Sequence, residues 1–118
     1  MDQDHNLKIG IVGPCGAGKT TLIVGLLGMG YSAKHIAQEH SYLPTMWKRL
    51  VNPDILVYLN ASYEISTMRR KLDWTREEYN EQLRRLQDAL QNADLVIETD
   101  RLTPKEVLQR VVEVLDDA

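Results

Sequence analysis

The chain has 118 residues, 43% of them apolar and 26% charged, with a net charge of -3. That length suits a single domain around one hydrophobic core, over residues 1–118, and the acidic balance argues against a general nucleic-acid binder, which carries an excess of Lys and Arg. No apolar run approaches the ~20 residues that cross a bilayer, the opening MDQDHNLKIG lacks the basic stretch and apolar core of a secretion signal, and a lone cysteine, Cys15, excludes an intramolecular disulfide.

The expectation is a cytoplasmic protein that engages neither membrane nor nucleic acid, for which the sequon Asn60-Ala61-Ser62 is chance. Basic residues gather in the middle of the chain (Lys48, Arg49, Arg69, Arg70, Lys71, Arg76, Arg84, Arg85), and the C-terminal quarter is rich in acids. A solvated helix face is the ordinary account of such a cluster, and an anionic ligand the sharper one.

In chain order, Lys8–Val12 reads as a short buried strand, with β-branched residues and a glycine that admits close approach. A helix is expected from about Lys19 to Leu27, ended by the glycines at 28 and 30. Ser32 to Glu39 is a candidate second strand with little apolar content, hence an edge strand. A short helix is expected from Pro44 to about Val51, stopped by Asn52-Pro53. Ile55–Leu59 is a near-continuous apolar run, as a strand covered on both faces requires. A long helical stretch follows, bent near Asp73-Trp74, its second half opening on the capping box Thr75-Arg76-Glu77-Glu78 and carrying the stripe Tyr79, Leu83, Leu86, Leu90. Leu95–Ile97 is read as another buried strand. Thr103-Pro104-Lys105-Glu106 combines a capping box with proline at the first helical position, and Val107, Leu108, Val111, Val112 and Leu115 make the buried face of the last helix. Strands alternating with helices imply an α/β three-layer sandwich with a short parallel sheet of about four strands.

The residues Gly13-Pro14-Cys15-Gly16-Ala17-Gly18-Lys19-Thr20 match the pattern G-x-x-x-x-G-K-[ST] at every position. Glycines at 13, 16 and 18 let the backbone curl so that its N–H groups point inward at phosphate oxygens. Lys19 supplies positive charge to the β- and γ-phosphates, and the Thr20 hydroxyl is a magnesium ligand. The helix beginning there, through Thr21, presents its positive end to the same anion. An ordinary glycine-rich turn needs one or two glycines, not three at these spacings with Lys-Thr just inside a helix. Nucleoside triphosphate binding with magnesium is therefore expected, ATP first and GTP as an alternative. The Cys15 thiol, near a helix N-terminus, is read either as an oxidation site or as a small residue facing away from the phosphates.

With these residues the chain resembles the P-loop NTPases of the nucleoside and nucleotide kinase-like group. The segments GPCGAGKTT, PDILVYLNASYEISTMRRKLDW and NADLVIETDRLTPKEVLQRVVEVL carry the resemblance over about two thirds of the chain, the first with high specificity and the others loosely. The resemblance implies a P-loop fold, in which Lys19 steadies the transferring phosphoryl group and Arg69 and Arg70 stand where lid arginines begin. It makes Glu39 the candidate acid that holds magnesium through water or receives a proton from an acceptor hydroxyl. A surface glutamate at a strand end is the plainer reading of Glu39, as a basic helix surface is of Arg69-Arg70-Lys71. His35 and His40 are read as polar loop or edge residues. The chain departs from the family in having no room for an acceptor-binding helical segment between the loop helix and Glu39. Asp54 precedes its strand and is no substitute for the magnesium-side acid.

Three functional expectations follow: a small ATP-dependent kinase-like enzyme with an unidentified acceptor, a non-catalytic nucleotide-binding module that regulates a protein partner, and a homodimer in which a second copy completes the site. Tyr42, Trp47 and Trp74 are the candidate interface anchors for the last, against the simpler account of core packing.

Overall fold

A computed structural model describes residues 7–71 and 73–117. The strands are β1 (Lys8–Val12), β2 (Ser32–His35), β3 (Ile55–Asn60) and β4 (Leu95–Glu98). The helices are α1 (Lys19–Gly28), α2 (Met46–Leu50), α3 (Tyr63–Arg70), α4 (Arg76–Arg85), α5 (Gln87–Asn92) and α6 (Pro104–Asp116), with a 3-10 turn at Gln38–His40. All strand pairs are parallel, in the order β2-β1-β3-β4.

Alternation along the two central strands builds a core on each face of the sheet. Ile9 and Ile11 of β1 and Val57 and Leu59 of β3 meet Leu22 and Leu26 of α1 and Val107, Val111 and Leu115 of α6. Val12, Leu56 and Tyr58 meet Ile36, Trp47 of α2, and Leu86 and Ala89 beside and within α5. The class is thus α/β, with helices on both faces of a four-stranded parallel sheet, as strands buried on both sides demand. Among the described residues no helix is long and apolar enough to cross a membrane.

Several boundaries differ from expectation, each for a tertiary reason. β2 ends at His35, although the Ile36 amide still bonds the Ile11 carbonyl. The chain then turns because Gln38 is fully buried, its side-chain amide donating to the carbonyls of Leu43 and Arg85. The same side chain accepts from the Trp47 amide at 2.8 Å, so α2 starts at Met46 and borrows its cap from Gln38 rather than opening at Pro44. The stripe from Tyr79 to Leu90 spans two helices that meet at Leu86, not one. β4 lies at the edge and buries only Ile97, leaving Val96 44% exposed, so it is not the buried strand its composition suggests. β2 is the other edge, as its sparse apolar content implies. The expected long helix is interrupted near Asp73-Trp74 rather than bent: α3 ends at Arg70, Lys71 takes a left-handed conformation (φ 52) and α4 starts afresh at Arg76, while both expected capping boxes form.

The strand order places the site. From β1 the chain passes to β2 on one side, then returns to β3 on the other. Such a reversal opens a crevice beyond the carboxyl ends of the strands, where parallel sheets take their ligands.

Candidate functional site

A cavity of about 530 Å³ occupies that crevice, lined by residues 15–22, His35, Glu39, His40, Arg69, Arg70, Thr99, Leu102, Pro104 and Val107. The loop between β1 and α1 forms its floor, and close packing dictates where that loop needs glycine. A Cβ on Gly13 would stand 2.1 Å from the Leu59 carbonyl oxygen, and one on Gly16 would stand 2.7 Å from Ser66, itself fully buried in α3. Ala17, on the cavity lining, also packs into the sheet core. Gly18 occupies the N-cap of α1 without a side chain to satisfy the first amides, and no acidic residue lies in the first turn. Those amides are oriented donors with an unfilled demand for an acceptor.

Lys19 is buried at the start of α1. Its ammonium donates to the Gly13 carbonyl, to the Pro14 carbonyl at 3.1 Å and to Glu39 Oε2 at 2.8 Å. Glu39 is 2% exposed, on the 3-10 turn after β2, and its Oε1 is buried with no hydrogen-bond partner. It is therefore not the surface glutamate of the plainer reading. His35 and His40 flank it, each with Nε2 3.8 Å from Glu39 Oε2. Burial, and then the charge of Lys19, hold the His35 pKa below the ordinary imidazole value despite the nearby carboxylate.

Cys15 stands at the lip of the loop, its thiol 3.7 Å from His40 Nε2. Gln82 of α4 clasps it twice: its amide oxygen accepts from the Cys15 backbone N–H at 3.0 Å, and its amide nitrogen donates to Sγ at 3.3 Å. Thr20 and Thr21, in the first turn of α1, are exposed along the cavity wall.

Arg69 and Arg70 both line the cavity from the last turn of α3 but differ in attachment. Arg69 Nη1 donates to Thr99 Oγ1 at 2.9 Å and to the Gly16 carbonyl at 3.4 Å, tying the loop to the end of β4. Arg70 makes no hydrogen bond or ion pair among the described residues. The lining thus holds three permanent cations (Lys19, Arg69, Arg70) and one carboxylate, Glu39, in a chain of net negative charge. Leu102, Pro104 and Val107 add apolar surface to the same lining. A lining of that mixed character suits an anionic group joined to a flat or apolar one.

All the residues singled out from the sequence for this site therefore meet around one cavity, except Gly13 and Pro14, which sit behind it as acceptors for Lys19. Thr99 and Gln82 were missed. Thr99 had one signal, its position at the carboxyl end of a strand, whereas Gln82 had none, being one polar residue in a polar helix. Asp54 lies at the far end of the sheet, accepting from the Lys8 amide at 2.8 Å. Of the three aromatic anchors, Trp47 is buried in the second core and Trp74 packs among Tyr63 and Tyr79, while Tyr42 stays 86% exposed under the Arg85 guanidinium. Comparison with known proteins found no matching family model and no matching curated protein.

Proposed function

We propose that this cavity holds the triphosphate of a nucleotide with magnesium, and that the chain is a P-loop NTPase related to the nucleoside and nucleotide kinases. One observation carries the reading: the uncapped N-terminus of α1 and the buried Lys19 ammonium open together on a cavity walled by two further arginines. In this reading the loop amides take the phosphate oxygens, and Lys19 exchanges its loop carbonyls for the β- and γ-phosphates. The Thr20 hydroxyl is the protein's magnesium ligand, and the partnerless Glu39 Oε1 is suited to hold the ion through water. When bound, magnesium neutralises charge on the phosphates. Arg69 and Arg70 supply the remaining positive field, and the apolar surface of Leu102, Pro104 and Val107 takes the base. ATP is the proposed nucleotide, GTP its competitor, and kinase-like phosphoryl transfer or slow hydrolysis the proposed reaction, in the cytoplasm.

A second reading, a nucleotide-binding module that regulates a protein partner, is favoured by the connection between α1 and β2. Only residues 29–31 separate them, which leaves no helical segment there to receive an acceptor.

Melting the protein with ATP, ADP, GTP or GDP and magnesium tests the binding. Ligand at a hundredfold above Kd contributes ~2.7 kcal/mol, a rise of roughly ten degrees for a domain of this size. No rise with any of the four overturns the proposal. Thr20→Ala is expected to weaken triphosphate binding more in magnesium than in chelator, and equal losses would remove the hydroxyl from the metal. Phosphate release with and without a panel of hydroxyl acceptors then separates enzyme from module.

A further inference from the structure

At the lip of the cavity three chemically different ligands converge: Cys15 Sγ, His40 Nε2 and a carboxylate oxygen of Glu39 all lie within 4.8 Å of one another. Thiolate and imidazole are poor magnesium ligands and good ones for zinc and its neighbours. We propose that Cys15, His40 and Glu39 form a binding site for a zinc-class transition-metal ion.

The geometry is close to what such an ion needs. With metal–sulfur bonds near 2.3 Å and metal–nitrogen or –oxygen bonds near 2.0 Å, ligand atoms on a tetrahedron stand roughly 3.3–3.6 Å apart. Here the sulfur lies 3.7 Å from the imidazole nitrogen, and that nitrogen 3.8 Å from Glu39 Oε2. His40 is 60% exposed and Cys15 half-buried, so both side chains have room to close the remaining distance.

A second, independent feature points the same way. Glu39 Oε1 is buried without a hydrogen-bond partner, a costly condition unless something else satisfies it. Oε2 accepts from Lys19 and is also the oxygen 3.8 Å from His40 Nε2, so a small rotation of the carboxylate brings either oxygen to the ion, in competition with the magnesium role proposed for Glu39 above. On binding, the thiol releases its proton to solvent, and thiolate plus carboxylate balance a dipositive ion. The Gln82 amide that donates to Sγ steadies the sulfur from behind, the support that such ligands commonly have. The fourth position is left for water or a ligand oxygen.

Cobalt(II), a spectroscopic substitute for zinc, tests the site on the reduced, tag-free full chain. The expected result is a thiolate-to-cobalt charge-transfer band with strong visible absorption of a four-coordinate ion, displaced by zinc but not by a large excess of magnesium. Because Cys15 is the sole cysteine, the band has one source. Cys15→Ser should abolish it. His40→Ala, a change at an exposed position that leaves folding intact, should weaken cobalt binding roughly tenfold or more, whereas His35→Ala should leave the band in place. Absence of the band, its persistence at full affinity in His40→Ala, or its displacement by magnesium would each overturn the site. These readouts need no nucleotide, so this site and the nucleotide reading fail separately.

Discussion

Helices α1 and α6 both begin just beyond the carboxyl end of a strand and pack against one face of the sheet, yet their N-termini are finished in opposite ways. At α6 the Thr103 hydroxyl accepts from the Glu106 amide at 3.1 Å, the Glu106 carboxylate accepts from the Thr103 amide at 2.8 Å, and Pro104 removes a donor that would otherwise be left over. At α1 there is no cap and no acid, and a lysine takes the first helical position, where the helix dipole disfavours positive charge. The chain seals the donors of one helix with its own side chains and leaves those of the other facing a cavity, beside a cation held by a buried acid. Satisfying donors internally adds stability, and leaving them open keeps them available to the anion proposed above.

The largest expected effect breaks the arrangement at α1. Removing one partner of a buried ion pair leaves the other charge uncompensated, at a cost of about 3–5 kcal/mol. Lys19→Ala should therefore destabilise the ligand-free protein by that order in urea unfolding and also lose the rise in melting temperature that the proposed nucleotide binding predicts. Pairing it with Glu39→Gln should restore most of the stability but none of the nucleotide response. A Lys19→Ala protein as stable as wild type would mean that the Lys19–Glu39 contact contributes nothing.

The two arginines sharpen the comparison next. Arg69 is committed to Thr99 and the Gly16 carbonyl, and Arg70 is uncommitted at the same cavity. An arginine that grips charge mainly in the transition state lowers turnover, not ground-state affinity, when removed. Arg70→Ala should lower ATP turnover tenfold or more, about 1.4 kcal/mol of barrier, with little change in Kd. Arg69→Ala should lower stability as well, since it frees the loop from β4. Identical behaviour of the two variants in both assays would contradict the difference in attachment, and a wild type without turnover under any acceptor would favour the regulatory module.

What was legible in the sequence is what local chemistry decides. The strand–loop–helix turn from β1 to α1 and the capping boxes at Thr75 and Thr103 are each decided within a few residues, and all form where read. The burial of Glu39 was not legible, because it depends on Gln38 being pinned by Leu43, Arg85 and Trp47, residues that come from three other segments. The exposure of β4 was hidden for a similar reason: Leu-Val-Ile reads as buried, but strand order alone determines that nothing pairs beyond it. Gln82 is the sharpest case, since its two contacts with Cys15 cross 67 positions of chain.

A smaller effect probes the sealed helix. Thr103→Ala removes the cap of α6 and should cost about 1 kcal/mol, within the usual range for a lost N-cap. The melting temperature should fall by a few degrees while nucleotide affinity holds, because Thr103 is not among the residues that line the cavity, although Leu102 and Pro104 beside it are. A loss of affinity larger than the loss of stability would show that the cap of α6 also shapes the site.

The smallest effect distinguishes the two N-termini by pH. At α6, hydrogen bonds from the backbone and then the hydroxyl of Thr103 hold the Glu106 carboxyl below its ordinary 4.5. The stability this contributes is present above 4.5 and is lost as pH falls through the lowered folded value. Beside α1, the relevant group is His35, lowered from 6.5 by burial and by the Lys19 charge. The folded state then binds fewer protons near pH 6.5 than the unfolded one, so stability rises with pH there. The His35 contribution is complete above 6.5 and is lost as pH falls from that value through the lowered folded one. Urea unfolding followed in small pH steps should accordingly show a shallow slope near 6.5 that His35→Gln flattens, and a separate acid slope that Glu106→Gln flattens. Were His35→Gln to leave the slope near 6.5 unchanged, the imidazole would be titrating alike in folded and unfolded chains, and the influence of Lys19 on its surroundings would be confined to Glu39.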